Sequence, residues 1–381
     1  MCRCYLSILV LISQLVLSGC LFDSGSSSSS PSAEAPTPTP MPTPTPAPVV
    51  TKVFGYSGSQ YSNLVYSFSI DKSTGSMAPT AGVSATAQSA PMLSAASFDK
   101  KFLMSANYSS HSVSTFSISA TSGDLVSVGN TSLGSGTSPA WIASHPTLRV
   151  FYTANSGNST ISVVDVDSTG NATVRGSVAA GSGVTALAIT PDGGVLYSVD
   201  QNMNQIGIYQ VAGDGGLTSV GTATTPASST PNHAVVSADG TRLYVANWGT
   251  ANVSTYSISG ITLNSLGEVS GGTGGIYTIS LSPDGKFLYS AKPYGHNFSM
   301  HAIDPTTKIP GVAVESSLSG SVNFAFWNSF AFLVSWSNGV SGLPVAVRNY
   351  DALGVAASNL SVTTDSYRGL YQLVVVEVEQ P

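Results

Sequence analysis

The chain has 381 residues, of which 42% are hydrophobic and only 8% are charged, and its formal net charge is −6. Thirteen lysines and arginines spread over this length exclude a basic surface for nucleic acid. Because roughly a quarter of the residues of an average soluble protein are charged, the surface here must be built from Ser, Thr, Asn and Gly. This composition is typical of an all-β protein outside the cytoplasm.

Residues 1–19 have the pattern of a signal peptide: Arg3 is followed by an apolar stretch over 5–17, which is too short to span a bilayer. The next residues, Leu17-Ser18-Gly19-Cys20, resemble the lipobox of bacterial lipoproteins. That resemblance implies cleavage before Cys20 and lipidation of its thiol. The alternative is an ordinary secretory signal in which this cysteine has no role.

Cys2 and Cys4 leave with the signal peptide, so a disulfide or a cysteine metal site is excluded in the mature chain. In the lipoprotein family, Leu21 rather than Asp after the lipidated residue implies the outer membrane. We therefore expect a lipid-anchored protein of the bacterial cell envelope, with the membrane as a partner through Cys20. Residues 20–48, rich in Ser, Pro and Thr, predict an unfolded spacer at about 3.1 Å per residue.

The folded part is organised by a repeated hairpin pattern. Residues 281–290 are an apolar run, a Pro-Asp-Gly turn and a second apolar run with Leu-Tyr, and 190–197 and 237–244 have the same pattern. Pro fixes φ and Gly takes the positive-φ position of such a turn. Weaker copies occur at 98–104 and 145–152.

The repeats have a regular spacing. The equivalent residues of seven steps are separated by 44–50 positions: Phe54, Met104, Tyr152, Tyr197, Tyr244, Tyr289 and Leu333. This period predicts an all-β, seven-bladed propeller of four-stranded blades over 49–381. In the fourth repeat we predict strands at 185–190, 195–199, 205–211 and 217–222.

The two ends of the propeller are complementary. The first repeat opens at 53–56 without an inner strand, whereas 368–376 is an additional apolar strand at the end. We predict that this last strand completes the first blade, because ring closure removes two exposed sheet edges.

Most motifs favour structural roles. Each Asp-Gly turn has one aspartate, whereas calcium requires several oxygen ligands close together. Gly134-Ser135-Gly136 and Gly181-Ser182-Gly183 are predicted blade-to-blade loops rather than nucleophile elbows. We therefore predict no metal and no cofactor.

In a propeller, the blade-to-blade loops and the loops between second and third strands share one face. Aromatic, amide and ionisable residues map to this face and form a plausible ligand pocket, although they could equally fill the channel and close loops. The predicted ligand-binding residues are Asn107, Trp141, Asn155, Asp200, Asn247, Trp248, Tyr277, Tyr294 and Trp336.

With these repeats, residues 50–381 resemble the lactonase-type seven-bladed propellers, the 6-phosphogluconolactonase family, which is related to YVTN-repeat proteins. The matching segment is 231–247, from Pro231-Asn232-His233 to Leu243-Tyr244-Val245-Ala246-Asn247. The resemblance implies a lactone hydrolase in which Pro-Arg-His begins this segment and Asn-Glu ends it. His233 matches, whereas Asn232 replaces the arginine and Trp248 the glutamate.

Because this charged pair is missing, we predict first a binding module of the cell envelope, monomeric, for a small molecule, glycan or protein. The alternative is a divergent lactonase with His233 as general base and Lys292 or Arg368 at the oxyanion. A third possibility is a scaffold in which the propeller is only a rigid part.

Overall fold

The computed structural model describes residues 50–292, 297–319, 321–335, 345–349, 360–361 and 372–380. These residues form seven antiparallel sheets of four strands each. One short 3₁₀ helix, Gln201–Met203, follows the second strand of the fourth sheet. Within these ranges, no helix has the length and apolar character needed to cross a membrane.

Each sheet is one blade, and the strands are numbered in chain order. Blade 1 consists of β1 (Thr51–Ser59), β2 (Leu64–Ile70), β3 (Met77–Thr86) and the C-terminal β28 (Val374–Glu379). Blade 2 consists of β4 (Pro91–Ala96), β5 (Phe102–Asn107), β6 (Ser112–Ile118) and β7 (Leu125–Ser132). Blade 3 consists of β8 (Pro139–Ser144), β9 (Val150–Asn155), β10 (Thr160–Val166) and β11 (Ala172–Ala179). Blades 4 and 5 consist of β12 (Val184–Ile189), β13 (Val195–Asp200), β14 (Gln205–Val211) and β15 (Leu217–Thr224); and β16 (Pro231–Val236), β17 (Arg242–Asn247), β18 (Asn252–Ser259) and β19 (Thr262–Ser270). Blades 6 and 7 consist of β20 (Thr278–Leu281), β21 (Phe287–Ala291), β22 (Asn297–Ala302) and β23 (Val314–Ser319); and β24 (Ser321–Trp327), β25 (Phe330–Ser335), β26 (Val345–Asn349) and β27 (Leu360–Ser361).

The innermost strands form a closed ring. Contacts between the first strands run in sequence from β4 through β8, β12, β16, β20 and β24 to β28, which in turn contacts β4. The seven-bladed propeller predicted from the repeat spacing is therefore confirmed. In blade 4 the predicted strands agree with β12 to β15 to within two residues at each end.

The C-terminal strand completes blade 1, as predicted. β28 pairs antiparallel with β1, and Val376 lies opposite Phe54. The closing strand extends over Val374–Glu379, several residues later than the predicted 368–376, of which 368–371 lie outside the described residues. Val376 and Phe54 are both buried, so the closure also contributes to the core.

The turns between first and second strands have the predicted structural role. The Oδ1 atom of Asp284 accepts hydrogen bonds from Ser282 Oγ at 2.6 Å and from the Lys286 amide at 3.1 Å. Gly285 has a φ of +68°, which this turn requires. These turns and those between third and fourth strands lie on one face, called here the turn face; the remaining loops form the loop face.

Buried tyrosines connect neighbouring blades. The hydroxyl of Tyr152 in β9 donates to the carbonyl of Gly215 in blade 4 at 2.8 Å, and that of Tyr244 in β17 donates to the carbonyl of Lys308 in blade 6 at 2.7 Å. Each ring fills the space between two sheets while its hydroxyl is satisfied by a turn of the next blade. The repeated Leu-Tyr step is thus the inter-blade contact of the fold.

Candidate functional site

β-Bulges near the start of the inner strands shape the centre of the propeller. In blades 2, 3, 4, 5 and 7 the pairing of the first strand with the second skips one residue. The skipped residue in blade 5 is Asn232, between Pro231 and His233. A bulge bends the strand and redirects its side chains, and here it sets which residues surround the axis.

The residue after each bulge occupies the same register position in its blade. In each blade with a bulge, this residue pairs with the residue that precedes the last, polar residue of the second strand. In blade 5, for example, His233 pairs with Ala246, which precedes Asn247. We call the set the axial ring: Leu93, Trp141, Ala186, His233, Thr278 and Asn323 in blades 2 to 7, with Gln372 in blade 1, two residues before the pairing partner of Tyr56.

Trp141 contacts the ring of His233 across the small side chain of Ala186. The centroids of the two rings are 4.5 Å apart and the ring planes make an angle of 61°. Trp141 also packs against core residues of blades 2, 3 and 4. Its indole therefore occupies part of the axis instead of lying on the loop face, where we predicted it.

Two cavities meet at the axial ring, and Trp141 and Asn323 line both of them. The smaller cavity, about 90 Å³, lies towards the loop face and is lined by Asn232, Thr185 and Tyr277 among others. The larger cavity, about 610 Å³, extends along blades 4 to 7 as far as Pro283 on the turn face. Only the larger one falls in the range of roughly 300–1,000 Å³ that is usual for ligand pockets.

His233 is the ionisable residue of the large cavity. Its side chain is 5% exposed, and the backbone N–H of Ile279 donates to its Nδ1 atom at 3.3 Å. Burial lowers the pKa of His233 from 6.5 to about 3, so the ring is neutral near pH 7. Since Nδ1 accepts a hydrogen bond, the single ring proton is on Nε2. No oxygen or nitrogen acceptor for this N–H is found among the described residues.

Two amide side chains on the same ring are held in a similar way. Asn323 Oδ1 accepts the N–H of Phe324 at 2.8 Å, and Gln372 Oε1 accepts the N–H of Ser94 at 3.3 Å. Each amide therefore turns its NH₂ group away from the backbone donor, and within the described part of the chain neither NH₂ has a hydrogen-bond acceptor. Both residues line the large cavity, and in the part of the chain that the structure describes no residue lining it is charged.

Most of the polar residues predicted from the sequence lie elsewhere, at the end of the second strand in each blade. The Nδ2 atom of Asn155 donates to Thr160 Oγ1 at 3.0 Å and to Ser162 Oγ at 2.8 Å, all within blade 3. We call these fully or almost fully buried positions the buried ring: Ser59, Asn107, Asn155, Asp200, Asn247 and Lys292. Asn107 and Asn247 make the same contacts within their own blades.

Asp200 occupies this position in blade 4. It accepts hydrogen bonds from Ser198 Oγ at 2.9 Å and Gln205 Nε2 at 3.2 Å, and burial raises the pKa of its carboxyl group. The predicted placement of Asn107, Asn155, Asp200 and Asn247 around a ligand pocket therefore differs from the structure. These side chains satisfy the ends of their own strands instead.

Lys292 is the member of the buried ring in blade 6. Its ammonium group has no exposed surface and donates to Ser299 Oγ at 2.6 Å and to Glu315 Oε1 at 3.0 Å. Glu315 also accepts the N–H of Thr273 at 2.6 Å; this bond and Lys292 lower the pKa of Glu315 to about 2. Lys292 is thus held inside its blade, away from the position at an oxyanion that we predicted for it.

Trp248 and Tyr277 lie on the loop face, as predicted. Their rings meet edge to face with centroids 6.4 Å apart, and Tyr277 lines the small cavity. The carbonyl of Tyr277 accepts a hydrogen bond from Asn232 Nδ2 at 2.7 Å. Four further residues of the predicted sites lie outside the described residues: Cys20, Tyr294, Trp336 and Arg368.

Sequence reasoning missed Asn323 and Gln372. Asn323 follows the bulge of its inner strand at the same register as His233, a position that is visible only once the strands are paired. Gln372 precedes a strand that completes a blade at the other end of the chain, so no local pattern marks it. Among the described residues, no group of three or more His, Cys, Asp or Glu side chains could hold a metal ion.

The fold and the site together define a seven-bladed propeller with an axial cavity that contains a neutral histidine. The family model described as "Lactonase, 7-bladed beta-propeller" matches residues 51–322, and the chain belongs to this family. A comparison with curated protein sequences finds no match.

Solved structures with the same fold cover nearly the whole propeller. A 6-phosphogluconolactonase-like protein of Bacteroides fragilis is 20% identical with a TM-score of 0.74, covering 85% of this chain and 98% of that one. A similar protein of Bacteroides uniformis is 18% identical with a TM-score of 0.75, covering 85% and 99%. The periplasmic gluconolactonase of Pseudomonas aeruginosa is 19% identical with a TM-score of 0.72, covering 86% and 99%. At these identities the likeness establishes the fold.

Proposed function

We propose that the protein hydrolyses lactones in its axial cavity. The observation that supports this function is the neutral His233 in a cavity of suitable size, within a chain of the lactonase family. We assign His233 a different role from the general base expected from the sequence. With Nδ1 occupied by the Ile279 N–H, His233 presents an N–H donor to the cavity, and its lowered pKa makes it a weak base.

In this mechanism, a water molecule attacks the carbonyl carbon of the lactone and negative charge develops on the carbonyl oxygen. The N–H of His233 donates to that oxygen and stabilises the charge. The bond between the carbonyl carbon and the ring oxygen then breaks, and a proton originating from the water is transferred to the ring oxygen. The product is the open hydroxy acid. Trp141 offers an aromatic face for the body of the lactone.

We propose an unphosphorylated lactone as the substrate. A phosphate group is normally bound by arginine or lysine, whereas none of the described residues that line the large cavity is charged. Lys292 is bound within its blade by Ser299 and Glu315. The fold neighbour from P. aeruginosa, described as a periplasmic gluconolactonase, supports the same substrate class.

The test is acid release from δ-gluconolactone and its 6-phosphate, followed by pH-stat with the full-length chain purified in detergent and corrected for spontaneous hydrolysis. Two substitutions distinguish the donor from the base. His233→Gln can place an N–H donor near the Nε2 position, whereas the shorter amide of His233→Asn reaches only the Nδ1 position, where its oxygen accepts the Ile279 N–H. We expect kcat to fall by about 10²–10³ in His233→Asn and by less in His233→Gln.

His111→Asn is the matched control, because His111 lies away from the cavity and has a φ of +53° that asparagine tolerates. Its Nδ1 accepts the Ser138 N–H at 2.9 Å, which an asparagine oxygen can also accept. Equal loss in both His233 variants would favour the general base instead. Absence of acid release above the spontaneous rate for every lactone would reject hydrolysis.

A binding module is the second candidate. It is favoured because the lining of the cavity, as far as the described ranges extend, contains no carboxylate, whereas water attack normally uses a general base. Titration calorimetry with a lactone distinguishes the two functions. Saturable binding without acid release, weakened in His233→Asn, would support binding alone.

We also propose that the protein is exported and anchored in the cell envelope through lipidated Cys20, with residues 20–48 as a spacer. The order of signal peptide, lipobox-like sequence and Pro-rich segment supports this location. In a bacterial host, the wild type should be found in the membrane fraction with acyl groups on Cys20, detected by mass spectrometry. Cys20→Ala should move the chain to the soluble fraction; an unchanged distribution would argue against the anchor.

A further inference from the structure

The axial ring divides into two arcs of different chemistry. Blades 2 to 4 contribute Leu93, Trp141 and Ala186, which offer no charge and, apart from the indole N–H, no hydrogen-bonding group. Blades 5, 6, 7 and 1 contribute His233, Thr278, Asn323 and Gln372, respectively, all of which are polar. Because these residues have equivalent register positions, they lie at a similar height along the axis.

Three side chains of the polar arc, those of His233, Asn323 and Gln372, are oriented so that an N–H group remains available. In His233, Asn323 and Gln372, the acceptor atom of the side chain is occupied by a backbone N–H from Ile279, Phe324 and Ser94, respectively. What remains on each side chain is an N–H group. His233 and Asn323 are 5% and 4% exposed, and both line the large cavity together with Gln372.

None of these three N–H groups is a buried polar atom without a partner, so each is accessible from the cavity, where a ligand oxygen can accept from it. Three side chains from three blades each have an occupied acceptor atom and a remaining N–H donor. Together they suit a ligand atom that accepts several hydrogen bonds. The carbonyl oxygen of a lactone has two lone pairs, and it gains negative charge when water adds to the carbonyl carbon. Uncharged N–H donors fixed in advance are suited to this oxygen.

We infer that Asn323 and Gln372 are further catalytic residues, and that with His233 they form a three-donor site for the oxyanion of the ring-opening reaction. The inference rests on the proposed lactone hydrolysis. It extends that proposal by assigning the carbonyl oxygen to the arc of blades 5, 7 and 1, with the body of the lactone against Trp141. No proton transfer is assigned to either amide, since each acts only as a donor.

The test removes one donor while keeping the acceptor. Asn323→Asp and Gln372→Glu retain an oxygen for the Phe324 and Ser94 amides and lose the NH₂ group. We expect kcat for δ-gluconolactone to fall about 100-fold in Asn323→Asp and less in Gln372→Glu, whose side chain is longer and less buried. KM should rise by less than kcat falls in both, because the donors bind the neutral carbonyl oxygen more weakly than the charged oxygen of the transition state.

Asn264→Asp supplies the matched control, since this asparagine is exposed on β19 and makes the same change of charge. Asn323→Leu removes both hydrogen-bonding groups without adding a charge. It therefore tests whether the fall in kcat of Asn323→Asp comes from the lost donor or from the new carboxylate in the cavity. Melting temperatures establish that each variant is folded. The double variant with His233→Asn should lose less than the product of the single losses, because both residues act on the same oxygen.

A lactam of the same ring size keeps the two proposals distinguishable, because its carbonyl accepts hydrogen bonds and its amide bond resists hydrolysis. Calorimetry with this lactam should give weaker binding to Asn323→Asp than to the wild type. If the wild type hydrolyses no lactone but this difference persists, the donor site stands and the hydrolysis proposal fails. If the wild type hydrolyses lactones and both Asn323 variants keep its kcat, the three-donor site is rejected.

Discussion

The axial ring and the buried ring of this propeller follow the same seven-fold pattern and differ in what their polar groups contact. Asn155, in the buried ring, directs both amide hydrogens to hydroxyl groups of its own blade. Asn323, in the axial ring, accepts a single backbone hydrogen bond and turns its NH₂ group to a cavity. Two asparagines of equal burial thus have opposite capacities for a ligand. The difference arises because Asn155 ends the second strand of its blade, whereas Asn323 follows the bulge in the first strand.

The comparison predicts that substitutions in the buried ring affect folding stability, whereas substitutions in the axial ring affect activity. The largest effect is expected at Glu315, the partner of Lys292. Glu315→Gln leaves a fully buried ammonium group without its carboxylate, and breaking such a pair costs about 3 kcal/mol. The free energy of unfolding in urea measures the loss, and hydrolysis per folded molecule should not change.

The double variant Lys292→Asn/Glu315→Gln is the control for this effect. It places in blade 6 the asparagine found at the equivalent position of blades 2, 3 and 5. We expect it to be more stable than Glu315→Gln alone, because no buried charge remains. Equal instability of the two variants would show that the pairing of Lys292 with Glu315 is not the cause.

Asn155→Ala tests the asparagines of the buried ring. The substitution leaves the hydroxyl groups of Thr160 and Ser162 without their donor, and we expect a loss of about 2 kcal/mol in the free energy of unfolding. Activity of the folded fraction should remain at the wild-type level. Asn264→Ala, on an exposed strand, should change stability by less than about 0.5 kcal/mol. A loss of activity without a loss of stability would place Asn155 in the site after all.

The last effect concerns the pH dependence of stability through His233. Its pKa is lowered to about 3 in the folded protein, against 6.5 in the unfolded chain. Between these values the unfolded chain binds a proton that the folded protein does not, so stability falls as the pH decreases below 6.5. The expected slope is about 1.4 kcal/mol per pH unit.

His145 and His301 also have lowered pKa values and add slopes of the same sign. The measurement is therefore the difference between the wild type and His233→Gln, with the free energy of unfolding compared at pH 7.5, 6 and 5. Glutamine does not titrate, so the variant should lose less stability on acidification. Parallel curves would indicate that His233 titrates normally in the folded protein.

The fold could be predicted from the sequence because every blade repeats the same turn and the same Leu-Tyr step. Turn chemistry and periodicity are local, and they are sufficient to count the blades. The residues of the candidate site were harder to predict from the sequence. His233 was found through a family resemblance, whereas the asparagines at the strand ends attracted attention only because they are polar. Composition does not distinguish Asn155 from Asn323; the β-bulge that sets the register does, and its position becomes visible only when the strands are paired.

The closure of blade 1 by β28 has a consequence for biogenesis. Three strands of the first blade are synthesised at the start of the propeller and the fourth at the very end, so the sheet stays incomplete until the whole domain has emerged. Until then β1 presents an open edge to other nascent chains, which is a recognised hazard for aggregation. A truncation that deletes only residues 372–381 already removes the final strand, and it leaves that edge unprotected for the lifetime of the molecule.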